Sequence, residues 1–194
     1  MTLVFATGNK HKLEEVKKMF PEGTNLLSLS DIGVTEDIPE PFETMEENAF
    51  AKVDYLYSKF NRPCFADDSG LEVRALDMRP GVFSARYAGP EKDDIKNRLL
   101  VLEQMEGLKD RKARFRAVIA YRDQNHRVCF EGIVNGHIDN RETGTGGFGY
   151  DPIFIPDGYN ESFGVLPPEI KQKISHRSRG INKLIAQLEE WKVI

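Results

Sequence analysis

The sequence predicts an α/β fold built on a mixed, strongly twisted sheet flanked by helices, and two patterns carry that expectation. Short apolar runs alternate with amphipathic stretches of helical period at the start of the chain. In the middle, the alternating segments 113–122 and 128–134 flank Asp123-Gln124-Asn125 and read as a long antiparallel hairpin. At 194 residues, 40% of them hydrophobic and 30% charged, the chain suits one domain, or one domain with a small lobe, and has an ordinary globular composition.

In chain order, Leu3-Val4-Phe5-Ala6 is a strand, Thr7-Gly8-Asn9 a loop, and Leu13, Val16, Met19 and Phe20 the apolar face of a helix that Pro21 stops. A strand–loop–helix junction offers unpaired N–H groups and a favourable dipole to an anion, and Lys10 and Lys12 add charge beside it. The loop is neither a Walker A loop nor a dinucleotide fingerprint, so a capped helix with solvated lysines accounts for it equally well. Leu26-Leu27-Ser28-Leu29 reads as a second strand. The acidic loop 36–43 follows, where prolines on both sides of Glu40 restrict the backbone that presents its carboxylate.

Met45, Ala49, Val53, Leu56 and Phe60 form a strong helical stripe with Lys52 off it, by default a surface lysine. Arg62-Pro63 stops this helix. Phe65-Ala66 and Leu71-Glu72-Val73 then look like strand ends around Asp67-Asp68-Ser69-Gly70. That tetrapeptide is common turn vocabulary, yet paired carboxylates also suit a hard cation such as Mg²⁺. Residues 79–89 read as an ordered loop, a candidate lid or dimer contact, before a helix capped by Asp93 or Asp94 with Ile95, Leu99, Leu102 and Met105 inward.

In the hairpin, Phe115, Ile119 and Tyr121 lie on one side and Arg114, Arg116 and Arg122 on the other, the wet face. Gly144-Thr145-Gly146-Gly147-Phe148-Gly149-Tyr150-Asp151 sets four glycines beside two aromatics and an acid. Such a segment is either a tight turn with core aromatics or a close-approach loop with a stacking face for a planar base. The last helix carries Ile181, Leu184, Ile185, Leu188 and Trp191 inward. His176-Arg177 stands at its start, where the helix dipole disfavours a cation unless an anion or a polar base edge meets it.

A net charge of −4 argues against a nucleic-acid binder, since no excess of Lys and Arg is available for phosphates. Cys64 and Cys129 are too few for a disulfide framework or a four-ligand zinc site, and both read as buried small hydrophobes. His126 and Cys129 have no second pair to complete a metal site. No apolar run approaches about 18 residues. A soluble, cytoplasmic protein without a membrane or nucleic-acid partner is expected.

Thr7-Gly8-Asn9-Lys10-His11-Lys12, Phe65-Ala66-Asp67-Asp68-Ser69-Gly70-Leu71, Phe148-Gly149-Tyr150-Asp151-Pro152 and Ser175-His176-Arg177 together resemble the motif set of the inosine triphosphate pyrophosphatase family. They occur in the family's order, and the likeness runs from residue 3 to residue 190. The resemblance implies a single domain over residues 1–194, with two lobes around one central cleft that holds the active site. It also implies a homodimer, and hydrolysis of inosine, deoxyinosine and xanthosine triphosphates to monophosphate and pyrophosphate. Mg²⁺ is the implied cofactor, one or more ions per subunit, with Mn²⁺ as a substitute.

Carried over by position, Thr7, Gly8, Asn9, Lys10, His11 and Lys12 cradle the triphosphate, and Lys52 also points at the phosphates. Glu40 and Asp68 hold the metal. Asp68 doubles as general base, Asp67 supports it, and Ser69 touches the substrate. Phe148, Gly149, Tyr150 and Asp151 form the base pocket, completed by Lys171, His176 and Arg177. Tyr150 stands where some members have Trp, and Asp67 where some have Glu. A donor from His176 or Arg177 to the 6-keto oxygen would select inosine and xanthosine over adenosine; rejection of guanine must come from the 2-position. The alternatives are a pyrophosphatase for modified pyrimidine or methylated nucleotides, and a nucleotide-binding sensor without catalysis, for which the acids at Glu40, Asp67 and Asp68 would be superfluous.

Overall fold

In the computed structural model, which describes residues 1–36 and 38–194, β1 (Thr2–Phe5) leads through Thr7-Gly8-Asn9 into α1 (Lys10–Lys17). Asp37 of the acidic loop lies outside the described residues. The Asn9 side chain caps α1 by accepting the Lys12 N–H at 3.2 Å. The helix ends at Lys17, earlier than Pro21 alone would require. The Met19 N–H turns back to the Val16 carbonyl at 3.0 Å, and the residue before a proline avoids helical backbone.

β2 (Asn25–Leu27) pairs parallel to β1 with Leu3 opposite Leu26. Thr44 caps α2 (Met45–Phe60): its hydroxyl accepts the Glu47 N–H at 3.2 Å and donates to the Glu47 carboxylate at 2.7 Å. Asn61, in the left-handed region at φ 48°, ends the helix before Arg62-Pro63 is reached.

β3 (Cys64–Val73) is the main departure from the sequence reading, because it runs unbroken for 10 residues through the predicted turn at Ser69-Gly70. Gly70 provides space rather than a bend. A Cβ there would lie 2.1 Å from the Gly81 carbonyl oxygen, on the 3₁₀ segment Gly81–Arg86 that follows β4 (Arg79–Pro80). Ser84 fastens that approach, its hydroxyl accepting the Leu71 N–H at 2.9 Å and donating to the Gly81 carbonyl at 2.6 Å. The 79–89 stretch, expected as an ordered loop, is thus ordered as a short strand and a 3₁₀ turn.

Asp93 caps α3 (Asp94–Gln104), whose inward face differs from the predicted one. Met105 is buried and Leu102 packs on the core as expected, but Ile95 and Leu99 are 56% and 50% exposed, and Asn97 and Val101 are buried instead. Asn97 explains the rotation: it accepts the Ala88 N–H at 2.7 Å and donates to the Ala85 carbonyl at 3.1 Å. A satisfied amide can be buried, and it carries the positions one and two turns on with it.

The hairpin consists of β5 (Lys112–Arg122) and β6 (Arg127–Ile138). Its arginines do not simply face water: Arg114 pairs with Glu72, and Arg122 with Asp54. Cys64 is buried, but Cys129 is exposed on β6, contrary to the sequence expectation, since every second residue of that part of the strand faces outward. β7 (Phe154–Pro156) adds antiparallel to β6, and α4 (Pro168–Ile174) and α5 (His176–Glu190) close the chain. The sheet order is β2-β1-β3-β5-β6-β7 with β4 on β3, and it is mixed.

The chain forms two compact units, each with its own core. The first comprises Met1–Asp68, Ala117–Gly132 and Arg177–Ile194. It packs Leu3, Phe5, Phe65, Ile119 and Tyr121 against Ile181, Leu184 and Leu188, with Phe5 and Phe65 stacked at 4.5 Å. The second comprises Ser69–Arg116 and Ile133–His176 and is centred on Leu71, Val101, Met105, Phe115, Phe154 and Phe163. Among the described residues no helix is long and apolar enough to cross a membrane.

Candidate active site

The first unit gathers its charges around the C-terminal residues of its part of β3. Asp67 and Asp68 are both buried, and strand alternation gives them different partners. Asp67 Oδ2 accepts Arg177 Nε at 2.6 Å and lies 3.3 Å from Lys12 Nζ. Arg177, itself 2% exposed, also donates from Nη1 to Glu15 Oε2 at 2.7 Å. The unfavourable cation at the start of α5 is therefore matched by two carboxylates. Glu15 was not visible as a partner in the sequence, although its i, i+3 spacing from Lys12 puts both on one side of α1.

Asp68 belongs to a second set. Its Oδ1 lies 3.8 Å from Lys52 Nζ, which also pairs with Glu40 and donates to the Asp67 carbonyl at 3.2 Å. Lys52 is buried, not the surface lysine its position off the α2 stripe suggests. Burial of an ammonium is tolerable here because two carboxylates and a carbonyl meet it. Burial alone would lower its pKa, but Asp68 and Glu40 outweigh that and hold it above the ordinary lysine value.

Burial pushes the Asp68 carboxyl up to about 6, opposed by Lys52 and Lys12 and reinforced by Glu40 and Asp67. For Lys12, burial outweighs the attraction of Asp67 and lowers its pKa, with Arg177 and Lys52 adding to the effect. Asp68 Oδ2 is buried without a hydrogen-bond partner among the described residues. That leaves an acceptor for a ligand or a cation.

The residues expected to cradle the triphosphate divide. Thr7 Oγ1 accepts the Asn9 N–H at 3.1 Å and Asn9 caps the helix, so these side chains shape the loop. Gly8, Lys10 and His11 are exposed, and Lys12 reaches the acids. Ser69 is half-buried. Among the described residues no group of three or more His, Cys, Asp or Glu side chains could hold a metal ion by itself. The donors present, Glu40 and Asp68 converging on one ammonium, still fit Mg²⁺, which commonly takes one or two carboxylates and completes its shell with water and phosphate oxygens.

The second unit assembles the other predicted residues. Asp151 Oδ2 accepts both the Phe148 N–H at 2.8 Å and Lys171 Nζ at 2.7 Å, and that ammonium sits 4.4 Å from the centre of the Phe148 ring. Gly147 is required beside them: its φ is +69°, and a Cβ would lie 2.0 Å from Asp151 Oδ2. His176 is buried and stacks on Phe115 at 4.8 Å. Tyr150 is 5% exposed and donates to the Ser84 carbonyl at 2.7 Å, which turns its ring into the core and leaves Phe148 as the half-exposed ring of the two.

Fold and side chains together define a class: an α/β protein equipped with paired acids and buried lysines suited to a polyphosphate, and with an aromatic–lysine–acid group suited to a planar ring. The sequence profile of the Ham1 family matches residues 3–187, and the chain belongs to that family. It is 46% identical to the dITP/XTP pyrophosphatase of Flavobacterium johnsoniae, covering 99% of this chain and 100% of that protein. It is 48% identical to the protein of the same name from Christiangramia forsetii, with 98% and 100% covered. Among solved structures, the Staphylococcus aureus Ham1 protein superposes with a TM-score of 0.90 at 38% identity, covering 98% of this chain and 100% of that one.

Proposed function

We propose that this chain hydrolyses the triphosphates of inosine, deoxyinosine and xanthosine to the monophosphate and pyrophosphate. Its full-length likeness to proteins named for that activity supports the substrate class. The observation that carries the chemistry is the Asp68 carboxylate, one oxygen beside Lys52 and the other buried without a hydrogen-bond partner among the described residues.

In this reading Asp68 Oδ2 takes a proton from water as the water oxygen attacks the α-phosphorus. The bond from that phosphorus to the α–β bridging oxygen breaks, and pyrophosphate leaves with the electron pair. Lys12 and Lys52 stabilise charge on the β and γ phosphates, and the N–H groups that open α1 help to hold them. Thr7, Gly8, Asn9, Lys10 and His11 build the loop, and Ser69 contacts the substrate. Glu40 and Asp68 would hold Mg²⁺, or Mn²⁺ in its place, which offsets phosphate charge when bound.

Phe148 offers the stacking face, with Gly149, Asp151, Lys171 and His176 toward the base edge. Tyr150 supports them from the core. Arg177, engaged by Asp67 and Glu15, holds the phosphate-side acids in place and completes the set expected at the base. The enzyme acts as a cytoplasmic homodimer.

Incubation with inosine triphosphate and Mg²⁺, followed by ³¹P NMR, tests the reading. Inosine monophosphate with pyrophosphate is expected; release of orthophosphate, or no turnover, refutes it. Asp68→Asn should lower kcat by about 10²–10⁴, the usual range for loss of a general base. Unchanged turnover would remove Asp68 from the mechanism.

A further inference from the structure

α3 turns polar side chains, not its apolar Ile95 and Leu99, toward the rest of the second unit, and two of them converge on one residue. Asp94 Oδ2 accepts the Gly149 N–H at 2.9 Å, and Arg98 Nη1 donates to the Gly149 carbonyl at 3.0 Å. Asp94 and Arg98 are one helical turn apart, so a single face of α3 holds both backbone groups of Gly149. Arg98 is braced in turn by Glu142, which accepts its Nε at 2.5 Å from the start of the same loop. The Arg98 side chain is only 14% exposed.

We infer that Asp94 and Arg98 are positioning residues for base recognition: they clamp Gly149 and thereby fix Phe148, the stacking ring beside it. This rests on the reading that Phe148 meets the base. The segment from Gly144 to Gly149 contains four glycines, and such a backbone loses much entropy when it is ordered. Lys171 and Asp151 grip the loop on the Phe148 side, but they leave the peptide groups of Gly149 to α3. With both grips made before substrate arrives, binding does not have to order the loop, and the base side of the site gains affinity without touching the phosphates.

Arg98→Ala should raise KM for inosine triphosphate roughly tenfold, with kcat held within about twofold, as expected when binding common to ground and transition states is lost. The inhibition constant of inorganic tripolyphosphate, a probe with no base, should stay unchanged. Asp94→Ala should behave like Arg98→Ala. Asp94→Asn, which keeps an acceptor for the Gly149 N–H, should return KM to within about twofold of the parent.

An unchanged KM in Arg98→Ala and Asp94→Ala overturns the inference. So does a joint rise of KM and of the tripolyphosphate constant, which would mean general damage. Should either alanine variant fail to fold, Asp94→Asn and Arg98→Lys decide. The first should keep KM and the second, which loses the fork to Glu142 and Gly149, should raise it; equal behaviour overturns the inference. If the unaltered protein fails to hydrolyse inosine triphosphate, the proposed function itself fails, a separate result.

Discussion

Replacing Arg177 by alanine should destabilise the protein by about 3–5 kcal/mol, the range for removing one partner of a buried ion pair. The structure places the variant at the lower end of that range. Asp67, whose side chain is fully buried beside Arg177, keeps Lys12 at 3.3 Å after the change, so its charge is not left wholly uncompensated. Glu15, with a side chain 31% exposed, can turn to water. A loss of about 3 kcal/mol corresponds to a fall in melting temperature of roughly 6–12 °C for a chain of this size.

Urea denaturation gives the free-energy difference, and a thermal scan gives the temperature. The double variant Asp67→Asn, Arg177→Met should recover much of the loss, since neutral side chains of similar volume avoid both desolvation penalties. In the single variant, affinity for tripolyphosphate should also fall, because Lys12 would be drawn closer to Asp67 once Arg177 no longer shares its charge. A single variant within about 1 kcal/mol of the parent, or a double variant no better than the single, would refute the view of Arg177 as the clamp on Asp67.

Three other outcomes follow from the same geometry. Gly70→Ala should cost about 2–3 kcal/mol in urea denaturation, because its Cβ would meet the Gly81 carbonyl oxygen at 2.1 Å and Ser84 Oγ at 2.6 Å; a cost below about 0.5 kcal/mol would mean that the 3₁₀ segment moves freely. Lys52→Gln should lower kcat/KM for inosine triphosphate by about 10², and a loss under threefold would separate Lys52 from the phosphates. At Asp54, burial raises the carboxyl, but Arg127 and Arg122 outweigh it and hold the pKa below the ordinary carboxylate value. The stabilisation is therefore complete above the unfolded value of about 3.9 and is lost as pH falls through the lower folded value. Asp54→Asn should cost up to about 1 kcal/mol at pH 6 and progressively less as pH falls below the unfolded value, and a pH-independent cost would contradict this.

The parts of the site legible in the sequence are those in which local backbone chemistry does the work. Asn9 caps α1 whatever surrounds it, and the loop before the helix announces itself by composition. Lys52 was not legible in the same way. Helical periodicity sets it off the apolar stripe, and only the arrival of Glu40 and Asp68, from other elements, makes its burial favourable. Asn97 repeats the lesson on α3: a polar side chain with two backbone partners turned the helix and left Ile95 and Leu99 in solvent.

Glycine was ambiguous for a different reason. At Gly70 and at Gly147 the sequence offers the same letter, but one provides room for a passing carbonyl and the other adopts a positive φ beside Asp151. Which applies depends on segments distant in the chain. The two acids of β3 then show how much a single structural fact releases. Once Ser69-Gly70 is strand and not turn, alternation alone assigns Asp67 and Asp68 to different faces. Arg177 and Lys12 collect on one, and Lys52 and Glu40 on the other. Adjacent, chemically identical residues thereby acquire unlike surroundings: Asp67 Oδ2 is held by Arg177 and Lys12, and Asp68 Oδ1 stands beside Lys52.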